Sequence, residues 1–439
     1  RFCVDYRKLN ACTIKDSYPL PTIQDSLDML GGSCYFSALD MMSGYWQIKV
    51  NRTHRGKTTF VSHMGAYAFK RMPFGLTNAP ACFQRCMDSI LSSVKNLFCM
   101  VYLDDVIIFT KSAKEHFNQI DEVLTLLENA GAKLKLEKCH FFKQKLKYLG
   151  HVISKEGVEI NREKFKIIEE WKVPTNKKEC EAFIGFTNFY RKFIKDVTLK
   201  MEPINKVTYS KPFIWNEAAD SAFKQLKRDL TTSTILKYAD FTKPFYLDTD
   251  FSKIAVGAVL YQQQGVIGYF SKKIRPYQSR YCSTEGECLA IVEAARHFKP
   301  YLLGQTDTVV YTDNNALKFI NNHKRYNNNR IMTWATELSP FNFDYQYKKG
   351  KDNLIADTLS RMSENNLADT NNHTSGNITN NNNDNNNNNA SNNENINYNN
   401  NNNNNINNNN KLTTNQEICM MIATKFDLFD KDELIKLQQ

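Results

Sequence analysis

The sequence predicts a multidomain protein of α+β and α/β domains that ends in a disordered, asparagine-rich tail. Short β-prone runs alternate with longer amphipathic segments up to about residue 361, which is the pattern of mixed helix and sheet domains. Several of these β-prone runs end in an aspartate. Residues 364–410 are dominated by asparagine and cannot bury apolar surface, so we expect them to be disordered.

A pair of adjacent acids, Asp104 and Asp105, is the most informative local feature. The apolar runs 97–103 and 106–109 predict two short strands, and the pair falls where the hairpin must turn. Two carboxylates at the tip of a buried hairpin repel each other and lose hydration unless a divalent cation neutralises them. The alternative is a solvated Asp-Asp turn.

A second strand-end acid favours the metal interpretation. The β-prone run 35–40 ends in Asp40, and its strand can lie beside the hairpin in one sheet. Strand-end carboxylates that converge in this way can hold a pair of Mg²⁺ ions. That geometry is typical of phosphoryl transfer to a primer hydroxyl.

Six ordered motifs resemble those of reverse transcriptases from gypsy-type (Metaviridae) LTR retrotransposons. Their order and spacing agree with that family, and the resemblance extends over about residues 1–361. The motifs are residues 1–10, 18–21, 39–40, 72–80, 102–105 and 148–151. The resemblance implies a right-hand polymerase palm and thumb followed by a ribonuclease H-like α/β domain, as part of a Pol polyprotein.

The resemblance also implies roles for single residues of the polymerase half. The metal ligands would be Asp40, Asp104 and Asp105, with the backbone carbonyl of Met41. Tyr45 would be the aromatic gate beneath the deoxyribose, although a core tyrosine on a half-buried strand is the alternative.

Further contacts with substrate follow from the same resemblance. Phe74 and Gly75 would lie near the incoming nucleotide and template, and Asn78 would cap the next helix. Leu149 and Gly150 would form the primer grip, where Gly150 is alternatively a simple turn residue.

Arg1 matches an arginine that contacts the nucleotide triphosphate. The sequence begins there in mid-motif, whereas in the family an upstream fingers strand supplies a lysine to the triphosphate. We therefore expect only partial fingers, and this expectation favours the alternative that polymerase activity is lost.

A second acidic constellation resembles the family's ribonuclease H domain. Its predicted elements are strands at 245–250, 255–261, 266–270, 308–312 and 343–347, a helix at 284–298 and a last helix at 354–361. Acids at strand ends and at a helix start can bind two Mg²⁺ ions and activate a water molecule. The implied ligands are Asp250, Glu287, Asp313 and Asp357, with Asp248 as a weaker candidate.

Each of these acids has a structural alternative. Glu287 follows Thr284 by three residues, which is the spacing of a capping box, and Asp313 can cap the next helix. Two positions depart from the related domains. Tyr347 stands in place of a histidine of cellular forms. Phe251 stands where alanine is usual, and we expect it to affect packing and not metal binding.

The domain boundaries follow from these patterns and the resemblance. Amphipathic helices are predicted at 114–130, 162–171, 177–193 and 218–230. The first would bury Phe117, Ile120, Leu124 and Leu127. The domains are palm and partial fingers 1–155, thumb 156–208, connection 209–241, ribonuclease H 242–362, Asn-rich linker 363–411, and a helical tail 412–439 that alternatively starts an integrase region.

Composition is consistent with nucleic-acid binding. The formal net charge is +11 and 12% of residues are aromatic, which suits contact with phosphates and bases but is also ordinary. No apolar run reaches the roughly 18 residues that span a bilayer, so no membrane partner is expected.

The cysteines give no sign of disulfide or metal pairing. The 11 cysteines form no Cys-x-x-Cys pair, so reduced thiols are expected. A zinc site around Cys139 and His140 fits no common spacing.

Taken with the resemblance, these patterns predict an RNA-directed DNA polymerase with ribonuclease H activity. The expected cofactor is Mg²⁺, two ions per site, with Mn²⁺ as a substitute. The expected partners are an RNA template, a DNA primer, RNA-DNA hybrid, dNTPs, and the protease and integrase of the polyprotein. The expected location is intracellular, in cytoplasmic virus-like particles, with the nucleus as a further site. The alternative is a truncated or relic fragment that binds nucleic acid, with at most ribonuclease H activity.

Overall fold

The computed structural model describes residues 2–320 and 328–348. Within this part of the chain, no helix is both long and apolar enough to cross a membrane. The elements up to residue 143 are helices α1 (Arg7–Cys12), α2 (Ile23–Asp28), α3 (Gly44–Gln47), α4 (Ala79–Ile90) and α5 (Ala113–Asn129), and strands β1 (Tyr35–Asp40), β2 (Phe60–Ser62), β3 (Gly65–Tyr67), β4 (Cys99–Tyr102), β5 (Asp105–Thr110) and β6 (His140–Lys143).

Four of these strands form a sheet in the order β4-β5-β1-β6. Its central strand β5 is apolar at successive positions because both of its faces are covered. Val106 and Ile108 pack in a core with α4 and α5, whereas Ile107 and Phe109 point to the opposite face and join a second core. Strands β2 and β3 form a separate hairpin.

A three-stranded sheet and four helices come next. The strands are β7 (Lys145–Tyr148), β8 (His151–Ser154) and β9 (Gly157–Ile160), and the helices are α6 (Glu163–Glu169), α7 (Lys177–Phe189), α8 (Val197–Tyr209) and α9 (Glu217–Thr231). Asn176 and Asn216 cap α7 and α9, because each side chain accepts a hydrogen bond from a backbone N–H of the first turn.

A five-stranded sheet with helices follows. The strands are β10 (Phe245–Phe251), β11 (Ala255–Gln262), β12 (Gly265–Lys273), β13 (Thr308–Thr312) and β14 (Phe343–Tyr347), and the helices are α10 (Ser283–His297), α11 (Lys299–Leu302) and α12 (Asn329–Leu338). The order is β12-β11-β10-β13-β14. Strands β10 to β12 are antiparallel, whereas β13 runs parallel to β10 and β14.

The second and third groups of elements share one apolar core. Tyr190 and Phe193, next to α7, lie in the same buried cluster as Val259 and Tyr261 of β11. The Tyr301 hydroxyl also donates a 2.6 Å hydrogen bond to Asp28 of α2. These contacts place the five-stranded sheet against the first two groups.

Most predicted elements are confirmed, and three details are wrong. Tyr45 lies on the short helix α3 and not on a strand. Phe117 of α5 is 51% exposed, and His116 is buried in its place, held by Ser37 and Thr110. Residues 157–160, at the start of the predicted thumb, form a strand and not part of the helical pattern expected from about residue 156 to 208, because they pair with β8.

Candidate functional site

The first acidic site lies where β1, β4 and β5 end or begin. Asp40, the last residue of β1, is the direct partner of Asp105, the first residue of β5. Leu103 adopts a left-handed conformation with φ of 55°, which turns the chain sharply between β4 and β5. Asp104 occupies the other turn position. The hairpin predicted from the sequence is therefore confirmed, and it carries two acids to the end of β1.

The acids of this site influence one another. Burial and the neighbouring Asp40 carboxylate raise the pKa of Asp105, and Lys138 partly opposes the rise. The ammonium of Lys138 lies 3.4 Å from Oδ2 of Asp40. The sequence did not single out Lys138, which reaches the site from a 3₁₀ turn before β6.

Helix α3 approaches Asp104 very closely. A Cβ atom on Gly44 would lie 2.7 Å from Oδ1 of Asp104 and 2.7 Å from Cζ of Phe83, so any larger residue would force one of these side chains or the helix to shift. Only glycine therefore lets this helix reach the hairpin turn. Gly44 was not among the predicted site residues, because its role depends on a contact 60 positions along the chain.

Aromatic rings line the same site. The Tyr45 ring lies 5.3 Å from that of Phe74 and 5.6 Å from that of Phe83, measured between centroids. Burial and the charge of Asp104 raise the pKa of Tyr45. Gly75 adopts a left-handed φ of 91°, and its carbonyl accepts a hydrogen bond from Asn10. Tyr45 thus lies beside Phe74 and close enough to Asp104 for their charges to interact, and the nucleotide contacts of both aromatic residues stay predictions.

Asn78 does not cap α4 with its side chain. Instead the side chain donates to the carbonyl of Ile14 and accepts from the amide of Asp16, which fixes the loop after α1. Pro80 lies in the first turn of α4, where its missing N–H costs no hydrogen bond within the helix.

Leu149 and Gly150 form the turn between β7 and β8, with φ of 45° and 81°. The Tyr190 hydroxyl donates a 3.0 Å hydrogen bond to the carbonyl of Gly150. A Cβ on Gly150 would lie 3.1 Å from the Phe189 ring. The turn interpretation of Gly150 therefore has a structural basis, and the primer-grip role stays a prediction. Met41 is buried and pairs with Leu134.

The second acidic site lies on the five-stranded sheet. Asp250 lies near the end of β10, Asp313 follows the neighbouring parallel strand β13, and Glu287 faces them from α10. Burial, Asp313 and Asp250 together raise the pKa of Glu287 to about 9. Its Oε2 atom is buried and has no hydrogen-bond partner among the described residues. Three predicted acids thus come together.

A further acid reaches this site from outside the sheet. Asp196, in the loop before α8, would lie 2.6 Å from a Cβ built on Gly257, the strand partner of Asp250. Burial raises the pKa of Asp250, and Asp196 and Asp313 raise it further. Only the packing of α8 against β12 brings Asp196 here, so no local pattern could have identified it.

Asp248 has a structural role. It accepts hydrogen bonds from Lys348 at 3.0 Å and from the Tyr261 hydroxyl at 3.1 Å, and it is 4% exposed in its side chain. These partners hold the buried carboxylate in place, and its role as a weaker candidate ligand stays a prediction.

The capping alternatives for the nuclease acids are wrong. The capping box of α10 is formed by Cys282 and Glu285 and not by Thr284 and Glu287. The 3₁₀ turn after β13 is capped by Asn314 and not by Asp313. Glu287 and Asp313 are therefore left for another role. The predicted residues Arg1 and Asp357, the last helix, the Asn-rich segment and the tail lie outside the described residues.

Both sites fit divalent cations chemically. Oxygen ligands suit Mg²⁺, and a cation would offset the burial and the mutual repulsion that together raise the pKa values of Asp105 and Glu287. As it stands, no group of three or more His, Cys, Asp and Glu side chains in residues 2–320 and 328–348 is arranged to hold a metal ion.

Comparison with known proteins identifies the family. Residues 1–153 match the family described as reverse transcriptase (RNA-dependent DNA polymerase), and residues 215–309 match the RNase H-like domain found in reverse transcriptase. The Pol polyproteins of the Drosophila melanogaster transposons 297 and gypsy are 39% and 38% identical to the chain. The chain belongs to the gypsy-type retrotransposon Pol polyproteins.

This Pol chain spans about a third of the length of those relatives. The match covers 85% of this chain and 36% of the transposon 297 polyprotein. For the gypsy polyprotein it covers 84% of this chain and 37% of the relative. The foamy viral protease-reverse transcriptase dRH in complex with double-stranded DNA shares its fold, with a TM-score of 0.72 at 21% identity over 80% of this chain and 63% of that one. The foamy viral protease-reverse transcriptase in complex with RNA/DNA hybrid matches with a TM-score of 0.65 at 21% identity, over 79% of this chain and 48% of that one.

Proposed function

We propose that this Pol chain copies RNA into DNA at the first acidic site and hydrolyses the RNA of the resulting hybrid at the second. One observation supports this most strongly. At each of two separate sheets, acids lie close enough for their charges to interact: Asp40 with Asp105 at strand ends, and Glu287 of α10 with Asp250 and Asp313. The proposed partners are an RNA template, a DNA primer, dNTPs and RNA-DNA hybrid. Foamy viral proteins of the same fold are complexed with double-stranded DNA or hybrid.

Mg²⁺ is the proposed cofactor, with two ions per site and Mn²⁺ as a substitute. When bound, such ions supply Lewis-acid activation of the attacking hydroxyl or water and neutralise charge on the phosphate. The side chains of Asp40, Asp104 and Asp105 and the carbonyl of Met41 would hold them at the first site. Asp250, Glu287, Asp313 and Asp357 would do so at the second.

Tyr45 selects the sugar in this proposal. Its half-buried ring is braced by Phe74 and Phe83 and lies close enough to Asp104 for that charge to raise its pKa. In this role the ring would lie beneath the deoxyribose and exclude a 2′-hydroxyl, so dNTPs would be favoured over rNTPs. The Leu149-Gly150 turn, held by Tyr190, would support the primer end.

Removal of the metal tests the proposal. A labelled DNA primer on an RNA template is extended with dNTPs and Mg²⁺, and cleavage of the RNA strand is followed in the same reaction. We expect EDTA to abolish both reactions and Mg²⁺ or Mn²⁺ to restore them, because each acidic cluster needs cations to act.

The outcomes separate the proposal from its alternative. Hybrid cleavage without extension would mean that the chain is only a nuclease. Binding of primer-template without either reaction, in Mg²⁺ and in Mn²⁺, would favour the relic fragment. Association with the protease and integrase of a Pol polyprotein is a further proposal, which co-purification with those proteins tests.

Gly44→Ala is expected to lower primer extension about tenfold or more, because small misplacements of reacting groups are costly. The new methyl group would press on Asp104 and Phe83 and push the carboxylate or α3 out of place. The rate of single-nucleotide extension measures this. The matched control is Gly56→Ala, since no described atom lies within 4 Å of a Cβ built there. Equal rates for the two variants would contradict the prediction.

A further inference from the structure

The nuclease site contains a close contact between a ring and a glycine. Phe251 directly follows Asp250 on β10, and Gly286 directly precedes Glu287 on α10. A Cβ built on Gly286 would lie 2.7 Å from Cγ of Phe251 and closer still to two other ring carbons. The ring therefore occupies the space that any larger residue at position 286 would need.

The Phe251 ring is held on both sides of this contact. It packs against a buried cluster made of Val256 and Ile274 from the sheet side and Leu289 and Ala290 from α10. Leu289 and Ala290 lie one turn beyond Gly286 on the same helix. The ring cannot swing away from the glycine without giving up these apolar contacts.

Helix propensity does not account for the glycine. Glycine is disfavoured relative to alanine inside a helix, and Gly286 lies within the first turns of the 15-residue helix α10. The φ angle of Gly286 is not positive, so its backbone conformation does not require glycine either. The contact with Phe251 is thus the feature that requires glycine here.

The backbone of Phe251 connects this contact to the acids. Burial and neighbouring carboxylates raise the pKa values of Glu287 and Asp250, and the backbone N–H of Phe251 partly opposes the rise in both. Asp250 is the residue next to Phe251 on β10, so any movement of this strand that relieves the contact between the ring and α10 would also move Asp250.

We propose that Phe251 and Gly286 are positioning residues of the nuclease site, a ring seated in a glycine notch that sets the separation of Asp250 and Glu287. Strand β10 and helix α10 meet at this point, one residue from each acid. The inference rests on the proposed nuclease function, and it concerns the residues that place the acids and not the acids themselves.

The test uses the full chain and four variants: Gly286→Ala, Phe251→Ala, the double variant, and Gly185→Ala. Gly185 is the matched control, because it lies on helix α7 and no described atom is within 4 Å of a Cβ built there. Three quantities are measured: kcat and KM for hybrid cleavage, the Mg²⁺-induced rise in melting temperature without nucleic acid, and primer extension. The Asp313→Asn variant, which lacks one acid of the nuclease site, shows how much of the Mg²⁺-induced rise in melting temperature comes from the polymerase site.

We expect Gly286→Ala to lower kcat for hybrid cleavage about tenfold or more with KM little changed, since the acids are displaced and the hybrid surface is not. The double variant should recover to within about threefold of Phe251→Ala, because the added methyl group then has room. The Mg²⁺-induced rise in melting temperature should follow the same order. Primer extension should be unchanged in all four variants, which checks the fold.

Two results would overturn the inference while leaving the nuclease intact. The first is a kcat for hybrid cleavage by Gly286→Ala that equals the kcat of Gly185→Ala. The second is a kcat for the double variant that is no higher than the kcat of Gly286→Ala. Failure of the proposed function looks different, since the unaltered chain would then not cleave hybrid at all. In that case the Mg²⁺-induced shifts decide, and equal shifts in all variants would reject the inference.

Discussion

Asp104→Asn is expected to reduce primer extension by about 10³-fold or more and to leave hybrid cleavage unchanged, because one acid of a metal-binding cluster is lost. The substituted amide would keep the shape of the side chain in the turn between β4 and β5. It would remove the charge that raises the pKa of Tyr45 and that lies against α3. Single-nucleotide extension and hybrid cleavage, measured on one preparation, check both parts.

The separation of the two sites explains why only one activity should respond. Asp104 belongs to the sheet β4-β5-β1-β6, whereas Asp250 belongs to the five-stranded sheet. One face of each sheet packs in a separate core of its own, although the opposite faces share a third core. The control is Glu122→Gln, which neutralises an exposed acid on α5. If Asp104→Asn extended primers as well as Glu122→Gln, the first acidic site would not be the polymerase site. A parallel loss of cleavage would instead point to misfolding.

Glu287→Gln is expected to lower hybrid cleavage by about 10²-fold or more while primer extension continues, because the buried carboxylate that faces two other acids is lost. Glutamine has nearly the same size, so α10 keeps its packing against the sheet. Cleavage of a labelled RNA strand in a hybrid measures the loss. Unchanged cleavage would remove Glu287 from the site, and the Glu122→Gln variant again supplies the baseline.

The same variant should be more stable than the unaltered protein when metal is absent. The pKa of Glu287 rises from its ordinary 4.5 to about 9 on folding. Between these values the folded protein holds a proton that the unfolded chain has released, so the free energy of unfolding falls as pH rises. Glutamine does not titrate, so the Glu287→Gln variant does not lose this stability as pH rises. In EDTA we expect a higher melting temperature for Glu287→Gln at pH 8, with a difference that shrinks towards pH 5. A lower melting temperature at pH 8 would contradict the assignment of a raised pKa.

Local patterns predicted the elements that carry the acids. The hairpin of β4 and β5 follows from two apolar runs around an Asp-Asp pair, and β5 is apolar at every position from Val106 to Phe109 because both faces are buried. Strands β1, β10, β13 and β14 were likewise predicted with close or identical bounds. The apolar pattern of a segment reflects which of its faces are buried, and for these strands that pattern is contained within the segment itself.

Helix ends were predicted less well, because several polar side chains can reach the same backbone group. Asn78 stands at the cap position of α4 yet binds the loop after α1, 62 and 64 positions away. Thr284 and Glu287 have capping-box spacing, but the box forms earlier in the chain with Cys282 and Glu285. Tyr45 lies on a helix of four residues, which is too short to show a helical period.

The sequence by itself determined which residue types carry the chemistry: acids at the ends of β-prone runs, in the order of the gypsy-type Pol family. The tertiary structure alone decided what surrounds them. Gly44 under Asp104, Lys138 beside Asp40, Asp196 beside Asp250, and Phe251 against Gly286 all join segments that are far apart in the chain. The physical reason is that steric fit and charge interaction depend on distance in space, and pattern along the chain records only the neighbours in sequence.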